Sequence, residues 1–135
     1  MVNISGGCSC GKVRFSAEAD PTFVAVCHCT ACQKASGSAF SVVIALPAPA
    51  VTVTGDSTIY NSKGDSGQEK QYRFCPNCGS PVSSSIDVIA DMLMIRSGSL
   101  DDPSWVNPSM EIYCDSKQPW VALNGDLKSF PKMPG

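Results

Sequence analysis

The chain has 135 residues, 43% of them hydrophobic, and a formal charge of −2 at pH 7. That length supports one domain, residues 1–135, with a hydrophobic core of its own, so stability need not rest on disulfides as in very small secreted domains. The acidic balance, with a pI near 5.2, argues against nucleic acid as a main partner, which would call for a basic face. The most apolar stretch, Val42 to Val51, is broken by Pro47 and Pro49 and falls well short of the roughly 20 residues of a membrane span.

Ten prolines and eleven glycines, spread along the whole chain, argue against long helices. Lys12 to Ala17 alternates with period two and reads as a strand with one wet face. Phe23 to Val26 is a second strand. Ala31 to Ala35 can make a helical turn, stopped by Ser36-Gly37. Phe40 to Leu46 is a more continuous apolar run and reads as a central strand. Val51 to Thr54 and Thr58 to Tyr60 flank Gly55-Asp56, which predicts a hairpin. Ser62 to Lys70 is polar and glycine-rich and reads as a loop. Gln71 to Phe74, Val82 to Val88, Met92 to Ser97 and Met110 to Cys114 are further strands. Asp101-Asp102-Pro103 is a turn, and the proline-rich tail from Ser129 to Gly135 reads as loose. The expected class is all-β, built from many short strands.

Eight cysteines punctuate this frame. They fall as Cys8-x-Cys10, Cys27-x-Cys29-x-x-Cys32, Cys75-x-x-Cys78 and a lone Cys114. The N-terminal residues have neither the basic nor the apolar region of a signal peptide. Close C-x-C and C-x-x-C pairs suit chelation better than bridging, which points to zinc and to a reducing, cytoplasmic setting.

Cys75-Pro76-Asn77-Cys78-Gly79 is a zinc knuckle: a tight turn aims two thiolates at one ion, and glycine lets the backbone turn. Cys8-Ser9-Cys10-Gly11 is the matching pair. Together they make a closed, structural four-cysteine site. Cys27, Cys29 and Cys32 then form a second site with an open position, the pattern of catalytic zinc. The competing arrangement joins Cys29 and Cys32 to Cys75 and Cys78 as a ribbon and leaves Cys8, Cys10 and Cys27 without a role. His28 lies between two ligands and is expected to point away from the ion, since alternate side chains of an extended chain face opposite ways. It reads as an imidazole facing solvent or backing the site. Cys114 reads as a buried thiol, with completion of the second site as the other option.

Several motifs occur in order: Gly7-Cys8-Ser9-Cys10-Gly11-Lys12-Val13-Arg14-Phe15, Cys27-His28-Cys29-x-x-Cys32, Ser36-Gly37-Ser38-Ala39-Phe40, Phe74-Cys75-x-x-Cys78-Gly79-Ser80, Gly98-Ser99-Leu100-Asp101-Asp102 and Ser116-Lys117-x-x-Trp120. This set resembles the glutathione-dependent formaldehyde-activating enzyme family, also described as centromere-protein-V-like. The resemblance implies the Mss4-like fold, with two antiparallel sheets and zinc ligands on hairpin loops. It implies a structural zinc on Cys8, Cys10, Cys75 and Cys78 and a catalytic one on Cys27, Cys29 and Cys32. It also implies a carbon–sulfur lyase chemistry that joins a small thiol, glutathione, to an aldehyde, formaldehyde. One departure stands out: Glu111 occupies a position where relatives often carry histidine.

An open zinc position can bind a thiol and lower its pKa. Three thiolates make the ion a weaker Lewis acid than three neutral histidines would, which favours thiol capture over water activation. Glutathione is anionic, so Lys34 and Arg73 are the candidate residues for binding it. Trp120 and Phe40 read as core aromatics. Two other readings compete with the enzyme: a zinc-stabilised binding module, and a thiol-redox protein using Cys27, Cys29 and Cys32.

Overall fold

The computed structural model describes residues 1–64, 67–86, 89 and 91–134. Two sheets form the protein. The small one has three strands in the order β1-β2-β5, with β1 at Val2–Gly7, β2 at Arg14–Ala19 and β5 at Val51–Thr54. The large one has eight strands in the order β11-β10-β3-β4-β9-β8-β7-β6. Its members are β3 (Phe23–Cys27), β4 (Ser41–Pro47), β6 (Thr58–Lys63), β7 (Glu69–Phe74), β8 (Pro81–Ile86), β9 (Met92–Arg96), β10 (Met110–Ile112) and β11 (Lys128–Ser129). One helix, α1 (Thr30–Ser36), follows β3. The class is all-β, as the short alternating runs imply, and the cysteine-bearing loops give it an Mss4-like character. The pairing is antiparallel except at one edge, where β10 runs parallel to both β3 and β11.

Local patterns explain most of the elements. β2 alternates, with Phe15 and Ala19 buried and Ser16 and Glu18 exposed. β4 is apolar on both faces because both are covered. Ile44 and Leu46 enter the core between the sheets, with Ile4, Val13, Phe15, Val82 and Ile95. Val43 and Ala45 enter a second core with Ala25, Met94, Ile112 and the thiols of Cys27, Cys29 and Cys32. Each fully buried aliphatic contributes roughly 1.5–3 kcal/mol relative to exposure.

Three expectations are corrected here. Gly55-Asp56 does not close a hairpin: β5 joins the small sheet beside β2, while β6 pairs with β7 in the large one. The chain changes sheets at Gly55, whose φ is +91° and where a side chain would meet the Lys12 carbonyl at 1.9 Å. Within Ser62 to Lys70, Ser62 and Lys63 belong to β6, while Glu69 and Lys70 belong to β7. The tail is not loose either, since Tyr113, Cys114 and Asp115 donate backbone hydrogen bonds to the carbonyls of Lys132, Phe130 and Pro131. Asp87 and Val88, the expected end of a strand, lie outside the described residues.

The large sheet curls. Between β3 and β7 lie three strands, and at about 4.8 Å per strand a flat sheet would hold those two roughly 19 Å apart. Yet Lys70 of β7 places its Nζ 3.9 Å from Sγ of Cys32, just beyond β3. The concave face therefore gathers residues from strands distant in order.

Candidate metal centres

The first cluster joins two similar turns. Gly11 donates its N–H to the Cys8 carbonyl (3.1 Å), and Gly79 donates to the Cys75 carbonyl (2.8 Å). Both glycines adopt left-handed backbone, at φ 81° and 76°, which strains any other residue type. The sulfurs of Cys8, Cys10, Cys75 and Cys78 lie within 4.8 Å of one another. Cys8 and Cys10 are 3.6 Å apart, and Cys10 and Cys75 are 3.7 Å apart. Tetrahedral zinc with Zn–S near 2.3 Å requires sulfurs separated by about 3.8 Å, so the cluster fits that ion. Backbone N–H groups of Val13 and Asn77 point at the Cys8 and Cys75 sulfurs. The Ser80 hydroxyl and nearby amides hold the Cys78 thiol down to about 5. Cys8 and Cys75 pack against the core between the sheets, so this cluster ties the β1–β2 connection to the β7–β8 connection.

The second cluster is local. Cys27 ends β3, Cys29 caps α1 and Cys32 lies in its first turn. The Cys29 sulfur accepts the Cys32 backbone N–H at 3.2 Å, so the helix start itself sets the spacing. The three sulfurs lie within 4.8 Å of one another, and all three residues are buried. Hydrogen bonds from Cys27 and Cys29, backed by the charges of Lys70 and Arg96, hold Cys32 well below the usual thiol range despite burial. The neighbouring sulfurs and burial push Cys27 up. Without a cation the cluster cannot carry three negative charges in so dry a place; a divalent soft metal removes that conflict.

Cys29-Cys32 and Cys75-Cys78 fall in different clusters, so the ribbon arrangement is not the one formed. His28 lies on the opposite face from the thiols. It is fully buried, with Nε2 3.0 Å from Oε1 of Glu111 and its ring edge against Phe40. The solvent-facing reading of His28 therefore fails, and the imidazole backs the Cys27–Cys29 segment. Glu111 also accepts from Lys117 Nζ (2.9 Å) and Ser129 Oγ (2.7 Å). Cys114 joins His28 and Glu111 rather than the three thiols. Trp120 is 73% exposed, so it is not a core residue.

Glu111 yields a prediction. It is 7% exposed. Burial opposes its charge, but the bonds from Lys117, Ser129 and His28 outweigh burial and hold the carboxyl at about 2, below its ordinary 4.5. A carboxyl depressed in the folded state stabilises above its unfolded pKa and loses that contribution as pH falls through the folded value. Stability from Glu111 is thus full above about 4.5 and fades toward about 2. Glu111→Gln is expected to cost about 2 kcal/mol at pH 7. The gap to the parent protein, read from urea midpoints, should narrow at pH 3. A constant gap would show that the carboxylate charge is not what holds this corner.

Sequence reasoning missed three residues of the concave face. Lys70 is 6% exposed and reaches Cys32. Tyr72 lies between two cations, with Lys70 Nζ 5.1 Å and the Arg96 guanidinium 6.0 Å from its ring centre. Arg96 is 8% exposed and donates to the Ser41 hydroxyl at 3.0 Å. Burial opposes the Lys70 charge, but the Cys32 thiolate and its neighbours outweigh burial and hold the ammonium above its usual range. A lone arginine closing the apolar run Met92 to Ile95 was the available signal for Arg96. Lys70 had none, because its neighbours are polar. Lys34 lies exposed on α1, lining a cleft of about 540 Å³ with Tyr60, Lys63 and Tyr72. Arg73 points away from Lys70, as alternation on β7 requires, and donates to Ser57 at 2.5 Å. The fold does not bring Lys34 and Arg73 together.

An all-β protein with two cysteine clusters, each able to hold zinc, is the class defined by fold and site. A solved structure of a Rhodobacter sphaeroides protein shares the fold: TM-score 0.58 and 19% identity, covering 77% of this chain and 91% of that one. No functionally curated protein is similar enough in sequence to add a relative. The profile of the glutathione-dependent formaldehyde-activating enzyme family matches residues 3–116. The chain belongs to that family.

Proposed function

We propose that the protein is a zinc enzyme of carbon–sulfur lyase type, acting on the adduct between a small thiol, glutathione or a similar one, and an aldehyde. The observation that carries this reading is the second cluster. Three buried thiols converge with the Lys70 ammonium on one small cavity walled by Met94, Ile112 and Tyr113, and no fourth ligand joins them among the described residues. In this reading Cys8, Cys10, Cys75 and Cys78 hold a structural zinc, and Cys27, Cys29 and Cys32 hold a catalytic one. A bound zinc would lower the pKa of an incoming thiol.

The chain's own residues supply the rest. The apolar walls exclude water, which strengthens every charge interaction inside. As the thiol sulfur bonds to the aldehyde carbon, the carbonyl π electrons move to oxygen, and that oxygen ends as a hydroxyl bearing the thiol's proton. In this reading the Lys70 ammonium donates a hydrogen bond to this oxygen while its charge develops, a role supported by its place 3.9 Å from the Cys32 sulfur. The same contacts serve the reverse cleavage. The reduced state of all these thiols suits the cytoplasm.

Zinc per chain and thiol–aldehyde turnover test the reading together. Reduced protein should hold two zincs, and Cys29→Ser should hold one while losing turnover by at least about 10³-fold. A second zinc with no thiol–aldehyde turnover would favour the binding module. A reversible disulfide among Cys27, Cys29 and Cys32 with loss of metal would favour the redox protein.

A further inference from the structure

A second, more polar cavity, a cleft of about 670 Å³, lies between Cys8 of the four-cysteine cluster and the Ser36 and Ser41 hydroxyls that hold the Cys32 carbonyl. Its lining includes Ser36, Ser41, Ser99 and Arg96. Arg96 is more than nine-tenths buried. Its Nη1 donates to Ser41, while its buried Nε has no hydrogen-bond partner. No carboxylate pairs with it among the described residues. The acid on the cleft wall, Asp101, is already held by the Arg14 guanidinium and the Ser5 hydroxyl. The Cys32 sulfur is one negative neighbour, but Lys70 is the cation within 3.9 Å of it. Arg96 otherwise meets the Ser41 hydroxyl and the Tyr72 ring, 6.0 Å from its guanidinium, neither of them an anion, so its buried charge lacks a carboxylate partner among the described residues.

We infer that this cleft is an anion subsite in which Arg96 takes a carboxylate of a small molecule. Planar guanidinium donors match a carboxylate in pairs, and Nε is the Arg96 donor left without a partner. The subsite adjoins the thiol centre, because the Ser41 hydroxyl that accepts from Arg96 also donates to the Cys32 carbonyl at 3.4 Å. The inference rests on the proposed reaction only in taking the carboxylate to belong to the thiol substrate, such as a cysteine-containing peptide.

The test is calorimetric binding of S-methylglutathione to the zinc-loaded protein, since its blocked sulfur cannot act as a thiolate. Its dimethyl ester and inorganic phosphate are the comparison probes. The acid should bind at least tenfold more tightly than the ester. Arg96→Gln should lose that preference, and Arg96→Lys, which keeps the charge but not the paired donors, should keep only part of it. Equal binding of acid and ester to the unaltered protein would overturn the subsite, whether or not Arg96→Gln folds. So would no binding of either. Phosphate competing as strongly as the peptide would replace the carboxylate assignment with a free oxyanion. Thiol–aldehyde turnover, followed in parallel, separates the two readings. Selective binding without turnover leaves the subsite standing and removes the reaction. Turnover unchanged by Arg96→Gln, with acid and ester bound alike, does the reverse.

Discussion

Cys75→Ser is expected to unfold the domain or to lower its Tm by more than about 10 °C. Structural zinc contributes about 10–16 kcal/mol of apparent binding energy in zinc-finger peptides, and a whole domain of ordinary stability has only about 5–15 kcal/mol to lose. The position makes the effect large. Cys75 is buried in the core between the sheets, alongside Cys8 and Val82. Its cluster joins segments far apart in sequence, so losing the ion releases the small sheet from the large one. Cys29→Ser makes the contrast. Its cluster is contained within one strand end and one helical turn, so the fold should survive with a modest fall in Tm. Thermal melting with zinc counted before and after measures both. Equal destabilisation by the two changes would end the division into structural and catalytic sites.

Lys70→Met is expected to lower kcat/KM for thiol–aldehyde turnover by about 10²–10³-fold, the scale of removing one preorganised donor from a developing oxyanion. Methionine keeps the length and apolar stem of the side chain, so the cavity wall should persist. At saturating zinc both ions should remain bound. Zinc affinity at the second site should nevertheless weaken, because the Lys70 ammonium sits 3.9 Å from the Cys32 sulfur and helps offset its charge. Lys70→Arg should recover part of both properties. Unchanged kcat/KM with weakened zinc binding would assign Lys70 to the metal alone and remove it from the reaction.

The strands were legible where burial is one-sided or complete. β2 announced itself by alternation, and β4 by an unbroken apolar run. The Gly55-Asp56 hairpin failed for a physical reason: a turn signal specifies that the chain reverses, and says nothing about which sheet receives the next strand. Lys70 was hidden because a polar residue in a polar stretch looks solvated, and only a curled sheet turns it inward.

That Cys8-Cys10 meets Cys75-Cys78, 65 residues on, and that Cys29-Cys32 does not, was decided by the fold. Within each pair, thiol spacing with glycine at the left-handed position is a local property of the backbone. The same holds for the Cys27, Cys29 and Cys32 cluster, whose geometry comes from a strand end and a helix cap within six residues. What surrounds those thiols is another matter. Lys70, Tyr72 and Arg96 arrive from β7 and β9 by strand order and curvature, and His28 meets Glu111 through a parallel pairing over a separation of 83 residues. Ligand sets close in sequence are written in the chain because covalent geometry confines them. The charges that tune them are set by long-range packing, which one sequence does not spell out.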